Sequence, residues 1–286
     1  MDCKELTARQ VFSLLPKRDP CGHKGDFGKL LLLCGSLGFT GAAWFAAMGA
    51  LRMGAGLVYL GVPECIYEIE AVKLNEPVVF PLPDRSGKLS EEAIPEILER
   101  LSNMDAVLIG PGLGQSKETF QVLKTVLEQA ACPVVVDADG INLLARHMDI
   151  LRGRVSPTIL TPHDGEFARL FGPVGTDREE SARAAAQRSG ATLLLKGHRT
   201  CITDGQALYR NLTGNAGMAV GGSGDVLAGL LVGLLGQGMA PLEAAACAAW
   251  LHGAAGDLCA EELSQYAMLP SDLLNALPQL LKQGGM

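Results

Sequence analysis

The sequence predicts a doubly wound α/β fold, a mostly parallel sheet flanked by helices, as a single domain over residues 1–286. Three observations carry that expectation. The stretch Lys29-Leu30-Leu31-Leu32-Leu33-Cys34-Gly35 is apolar almost throughout and glycine-bounded, as a strand buried on both faces must be. A helix-spaced segment and a second apolar run follow within about 35 residues, the size of a right-handed βαβ unit. The 35 glycines have no collagen-like period, so they read as the tight turns of such a protein.

In chain order, residues 1–28 read as a polar lead-in ending in His23-Lys24-Gly25-Asp26-Phe27-Gly28. After the first strand, 36–41 is a loop and 42–53 has the spacing of a packed helix. Gly54-Ala55-Gly56 turns into a strand over 57–62. Residues 90–101 are predicted helical with Ser90 as N-cap, 106–110 a strand, and 117–129 an amphipathic helix. A strand over 133–137 and a helix from Ile141 follow, then a strand over 158–161 and a short helix after Glu166. A helix is expected over 177–189 and a strand over 192–196. Asp204-Gly205 between apolar stretches predicts a hairpin of 200–203 with 207–211. The remainder is helical, over 242–263 and 270–283.

Between that hairpin and those helices lies the most informative stretch, Asn215 to Gly236. Its first half is small and flexible and its second half apolar, so a loop becomes a buried helix near Gly222. Without a Cβ, Gly221, Gly222 and Gly224 allow unusual dihedrals and close approach of a ligand. The first amides of a helix lack intrahelical partners and carry the positive end of its dipole, a place for phosphate. Asp225 is out of character there, since a carboxylate repels phosphate. It either complements the helix dipole or serves as a base for a substrate hydroxyl.

The totals exclude several classes. A formal net charge of -7 argues against nucleic acid as partner. Eight cysteines include no C-x-x-C pair, so they are expected as reduced core residues in a cytosol. Met1 to Pro20 has no signal-peptide core. Val226 to Leu235 is too short to span a bilayer, and Ala244 to Leu258 is broken by His252 and Asp257. The expectation is a cytoplasmic protein without membrane association.

Four predicted strands end in polar or glycine-rich loops: Gly35-Ser36, Gly110 to Gly114, Asp137 to Asn142 and Thr161 to Glu166. Ligands of an open parallel sheet bind beyond the carboxyl ends of its strands, so these loops would line one crevice. Singly, each has a plainer meaning. Gly110 to Gly114 makes a sharp turn, Asp137 and Asp139 suit helix caps, His163 suits a surface or cap, and Lys196 to Thr200 suits a solvated turn.

In combination they resemble the nucleotide-dependent NAD(P)H-hydrate dehydratases of the ribokinase-like superfamily. The matching stretches are His23 to Gly28, Gly41-Ala42-Ala43, Ile109 to Gly114 and Asp137-Ala138-Asp139. They continue with Leu160-Thr161-Pro162-His163, Leu195-Lys196-Gly197 and Met218 to Gly229. The similarity runs from about Leu6 to the last helix. It implies a hydro-lyase that uses ADP or ATP with Mg2+ to restore hydrated NADH or NADPH (the S epimer), releasing AMP or ADP and phosphate. It implies that Ala42 or Ala43, Gly112, Gly114, His163 and Asp225 contact the hydrated dinucleotide, Asp225 as catalytic base. Lys196, Gly197, His198, Arg199, Thr200, Gly222, Ser223 and Gly224 would contact the adenine nucleotide. No all-protein metal cage is expected. A homo-oligomer, a tetramer by analogy, is implied as well.

Gly140-Ile141 stands where the resemblance leads one to expect Ala-Leu, and Asp164 where it leads one to expect proline. The chain is too short for the epimerase domain of many relatives, so epimerisation is expected to be separate. A vitamin-precursor kinase of the same fold would use the same anion loop and base but leave a stable phosphorylated product. A silent nucleotide-binding protein would not need Asp225.

Overall fold

The computed structural model describes residues 3–286; Met1 and Asp2, the start of the predicted lead-in, lie outside them. The lead-in is structured. It supplies strand β1 (Lys4–Glu5) and helix α1 (Ala8–Leu14), with Thr7 and Gln10 forming a capping box. Next come β2 (Lys29–Leu33), α2 (Thr40–Arg52), β3 (Leu57–Pro63), α3 (Glu64–Lys73) and β4 (Val78–Leu82). A small hairpin of β5 (Asp84–Arg85) and β6 (Lys88–Leu89) leads to α4 (Ile94–Leu101). Ser90 occupies the N-cap position of a 3-10 turn, Glu91–Ala93, without a side-chain cap bond. Its hydroxyl donates to the Pro83 carbonyl, and the 3-10 turn precedes α4, whose first turn contains Pro95.

The alternation continues with β7 (Ala106–Ile109), α5 (Lys117–Gln129), β8 (Val134–Val136), α6 (Asp139–Leu144), β9 (Thr158–Leu160), α7 (Asp164–Phe171), α8 (Arg178–Ser189) and β10 (Thr192–Leu195). The hairpin is β11 (Cys201–Thr203) and β12 (Leu208–Arg210). Its connection is the four-residue loop 204–207 and not a two-residue Asp-Gly turn, because the Asp204 carboxylate accepts from the amides of Gln206 and Ala207. Helices α9 (Ser223–Gly236), α10 (Pro241–Leu263) and α11 (Pro270–Gln283) complete the chain.

The main sheet has ten strands in the order β1-β12-β11-β10-β9-β8-β7-β2-β3-β4. It is parallel except where β11 pairs with β10 and β12. The all-leucine run of β2 sits between β7 and β3, and its side chains alternate between two cores. Leu30 and Leu32 face α2, α9 and α10; Leu31 and Leu33 face α4, α5 and α6. All four are fully buried, which explains why the strand reads as continuously apolar.

Helix α9 runs against α2 at glycine-close range. A Cβ on Gly49 would lie 2.8 Å from the Val226 carbonyl, and one on Gly233 2.9 Å from that of Ala50. Its far end, Gly236, rests on Gly28. That contact places His23 to Gly28 at the amino edge of the sheet, about 20 Å from the start of α9 at ~1.5 Å per residue. This stretch carries part of the family resemblance yet does not line the carboxyl edge. His23 caps the 3-10 turn Lys24–Phe27 there. All eight cysteines are free; Cys34, Cys132, Cys201, Cys247 and Cys259 are buried as expected, whereas Cys21 and Cys65 are exposed. No helix of the described residues is long and apolar enough to cross a membrane.

Candidate active site

Because β2, β7, β8, β9 and β10 are consecutive parallel neighbours, the segments after them emerge along one edge. Backbone bonds lace these segments together. Gly35 N–H donates to the Pro111 carbonyl at 2.8 Å, Asp137 N–H to Ile109 and Lys196 N–H to Pro162. Ser36 Oγ donates to the Gly112 carbonyl at 2.7 Å. Gly110 has φ +128, and a Cβ there would collide with the Asp137 carbonyl, so the β7 and β8 loops approach only through glycine.

Ala42 and Gly112 come together: a Cβ on Gly112 would lie 2.8 Å from that of Ala42. Of the two alanines suggested by the resemblance, Ala42 retains exposed surface. Ala43 has 0% exposure and packs into the core against Gly35, so it is not available to a ligand. The Gly114 amide donates to Asp139 Oδ2 and the Gln115 amide group to Asp139 Oδ1, both at 2.9 Å. Asp139 therefore ties the β7 loop and does not cap α6, which has no side-chain cap. Its neighbour Ala138 holds φ +48, a strained value for alanine, between two acidic residues at the crevice.

His163 is the N-cap of α7. Its Nδ1 accepts from Gly165 N–H at 3.0 Å and Glu166 N–H at 3.2 Å, which leaves the hydrogen on Nε2. The side chain remains 55% exposed beside the crevice, so the capping and ligand readings are compatible. In the next loop, Gly197 has φ +151 and Arg199 φ +58. Thr200 Oγ1 donates to the Gly197 carbonyl at 3.0 Å and closes the turn. His198 and Arg199 are exposed. Arg178 donates to the Lys196 carbonyl at 2.5 Å and pairs with Asp164 at 2.6 Å. The departure at position 164 thus anchors the loop.

Sequence reasoning gave no partner to Lys196, yet its ammonium is the centre of charge in the site. Nζ donates to Asp137 Oδ1 at 2.8 Å and lies 3.9 Å from Glu166 Oε2. Asp137 and Glu166 are both buried. Burial works to lower the pKa of Lys196, but Asp137 and Glu166 outweigh it and the net shift is upward. Glu166 is pushed up by burial, against the pull of Lys196. A lysine closing the apolar run Thr192-Leu193-Leu194-Leu195 is the signal that could have demanded these counter-ions.

Gly222 adopts φ +101 as the N-cap of α9, and a Cβ on it would strike the Phe45 ring at 2.6 Å. The amides of Gly222, Gly224 and Asp225 have no acceptor among the described residues, but Ser223 N–H is bonded to the Val220 carbonyl. Ser223 is buried and its hydroxyl turns inward to His252, so it offers nothing to the crevice. Gly224 faces Lys196: a Cβ there would lie 3.5 Å from Nζ. Asp225 is half-buried. Its pKa is raised to about 7, first by burial and next by the Asp137 charge, with Lys196 pulling the other way. A carboxylate held at that value can accept and release a proton near neutrality.

The open start of α9 with its unpaired amides, Lys196 and Asp225 stand together at the carboxyl edge of the parallel sheet, and the fold around them is that of the ribokinase-like structures. The NAD(P)H-hydrate dehydratase family profile matches residues 30–279. A bifunctional NAD(P)H-hydrate repair enzyme of Moorella thermoacetica is 47% identical over 284 residues, covering 97% of this chain and 53% of that protein. The ADP-dependent (S)-NAD(P)H-hydrate dehydratase of Listeria monocytogenes is 32% identical, covering 98% of this chain and 96% of that one. The crystal structure of the ADP/ATP-dependent NAD(P)H-hydrate dehydratase of Bacillus subtilis, co-crystallized with ATP and Mg2+, has a TM-score of 0.86 at 32% identity over 99% of both chains. The chain spans about half the length of the bifunctional relatives it matches. It belongs to the NAD(P)H-hydrate dehydratase family.

Proposed function

We propose that the chain dehydrates hydrated NADH or NADPH, the S epimer, at the expense of ADP or ATP, releasing AMP or ADP and phosphate. The observation that carries this reading is the placement of Asp225 among the unpaired amides that open α9. Asp225 takes the proton of the ring hydroxyl as its oxygen attacks the terminal phosphorus of the nucleotide. The amides of Gly222, Gly224 and Asp225 and the Lys196 ammonium stabilise charge on the moving phosphoryl group. The phosphorylated oxygen then leaves as phosphate while the ring nitrogen releases its electron pair to form an iminium. The adjacent ring carbon gives up a proton to the departing phosphate or to water, which closes the carbon–carbon double bond and restores the reduced nicotinamide.

Ala42, Gly112, Gly114 and His163 line the dinucleotide side, and the loop from Lys196 to Thr200 the nucleotide side. A magnesium ion carried in on the nucleotide would screen phosphate charge, held by the phosphates and water and not by a cage of side chains. We place the protein in the cytoplasm, as a homo-oligomer, with a tetramer as the expected form. Exposed Ile69 and Val72 on α3 beside Val78 at the sheet edge support an interface between copies.

The test is to mix the chain with hydrated NADH and Mg2+ plus ADP or ATP and follow the near-ultraviolet absorbance of reduced nicotinamide. Recovery that requires nucleotide is expected. A stable phosphorylated product without recovery would mean a small-molecule kinase instead.

His163 gives a separate check. His163→Ala should raise KM for the hydrated dinucleotide more than it lowers kcat, and should cost about 1 kcal/mol of stability through the lost cap. His163→Asn keeps a capping oxygen, so it should recover the stability but not the KM. A kcat loss larger than the KM change would remove His163 from a positional role.

A further inference from the structure

His252 lies in the middle of α10, within a run of small apolar residues. Its Nε2 is 3.2 Å from Ser223 Oγ. Ser223 is the first residue of α9, and this helix has no side-chain cap because its N-cap is Gly222. The backbone of that turn rests on the Phe45 ring on one side. On the other, the Ser223–His252 bond is its side-chain tether. The turn nonetheless carries the unpaired amides of Gly224 and Asp225 and the Asp225 carboxylate.

We propose that His252 is a positioning residue: acting through Ser223, it fixes the first turn of α9 and so the direction in which its free amides meet the nucleotide phosphates. This rests on the reading of that turn as the phosphate-holding element. Anion stabilisation by amides depends on donors that need no reorganisation when the charge arrives, so a fixed serine rotamer has a direct consequence for binding. Burial holds the imidazole pKa down to about 4, and the Lys196 charge acts in the same direction. The ring is therefore neutral at neutral pH. Its Nε2 donates to or accepts from Ser223 Oγ according to tautomer, and it adds no charge to a site already occupied by Lys196 and Asp225.

Calorimetric titration with ADP and Mg2+ tests this on four variants. His252→Ala and Ser223→Ala should each weaken ADP binding about tenfold, the equivalent of one lost buried hydrogen bond. The double variant should bind no more weakly than either single one, because both remove the same bond. His252→Gln places a donor and an acceptor near the Nε2 position and should recover most of the affinity. The proposal is overturned if His252→Ala lowers only the melting temperature and keeps ADP affinity within twofold of wild type. It is overturned equally if the two single losses multiply, or if the wild-type chain does not bind ADP. A wild-type chain that binds ADP but does not restore reduced nicotinamide would refute the dehydratase reading alone.

Discussion

Asp225→Asn should lower turnover by about 10²–10⁴, the range for loss of a general base, with nucleotide affinity unchanged or improved. The asparagine keeps the shape and the free amide but cannot take a proton. With one charge fewer beside the phosphates, nucleotide binding has no reason to weaken. The same variant should be more stable than wild type above neutrality. Asp225 has an ordinary pKa of 3.8 and a folded value of about 7. Below the lower value the carboxyl is protonated whether folded or unfolded, and nothing is lost. Between the two, the unfolded chain releases the proton while the folded chain retains it, so stability falls as pH rises, and the loss is complete above the folded value. Asparagine escapes that loss. Thermal melts should place the variant several degrees above wild type near about pH 8 and level with it near about pH 4. Wild-type kcat/KM should climb tenfold per unit up to about pH 7 and then flatten. A variant retaining a third of wild-type turnover would take Asp225 out of the mechanism, whatever its stability.

The sequence was most legible where one local rule governs a whole segment. Lys117–Gln129 and Pro270–Gln283 came out at their observed bounds, since amphipathic spacing and an initial proline leave little choice. Glycine and aspartate at the start of α9 disclosed the open helix end, because only glycine accepts φ +101 against an aromatic ring. Long-range pairing was not legible. Asp137 read as a helix cap because its partner Lys196 is 59 positions away, and only the parallel order of β8, β9 and β10 joins them. Ser223 read as a nucleotide ligand by its place in the motif. Its inward turn depends on His252 of another helix, which had served only to interrupt an apolar run. Ala43 read as an alternative to Ala42, since one position along a helix cannot be oriented without knowing which face meets the sheet. β1 and α1 were missed because each is short and polar and is held by β12 and α10.

Lys196→Met should combine a large loss of activity with a large loss of stability, and the two should separate in a double variant. In the wild type one ammonium stands 2.8 Å from Asp137 and 3.9 Å from Glu166, with Asp225 close enough to feel its charge. Methionine fills the same volume but leaves buried carboxylates without a counter-ion, which costs about 3–5 kcal/mol when a buried pair is broken from one side. Asp137→Asn in the same chain removes the orphaned charge, so the double variant should regain much of the melting temperature. Turnover should not return. A donor aimed at the transferred phosphoryl group accounts for roughly 10²–10³ in rate, and neither substitution replaces it. Lysine also holds the Asp225 pKa down against burial and Asp137. Without it the rising limb of the pH profile should move to higher pH in Lys196→Met. Loss of the Asp137 charge should draw that limb partly back in the double variant. A Lys196→Met enzyme with an unmoved pH profile and wild-type turnover would mean that the ammonium serves only to neutralise Asp137 and Glu166, and that the phosphates are held by the amides of α9 alone.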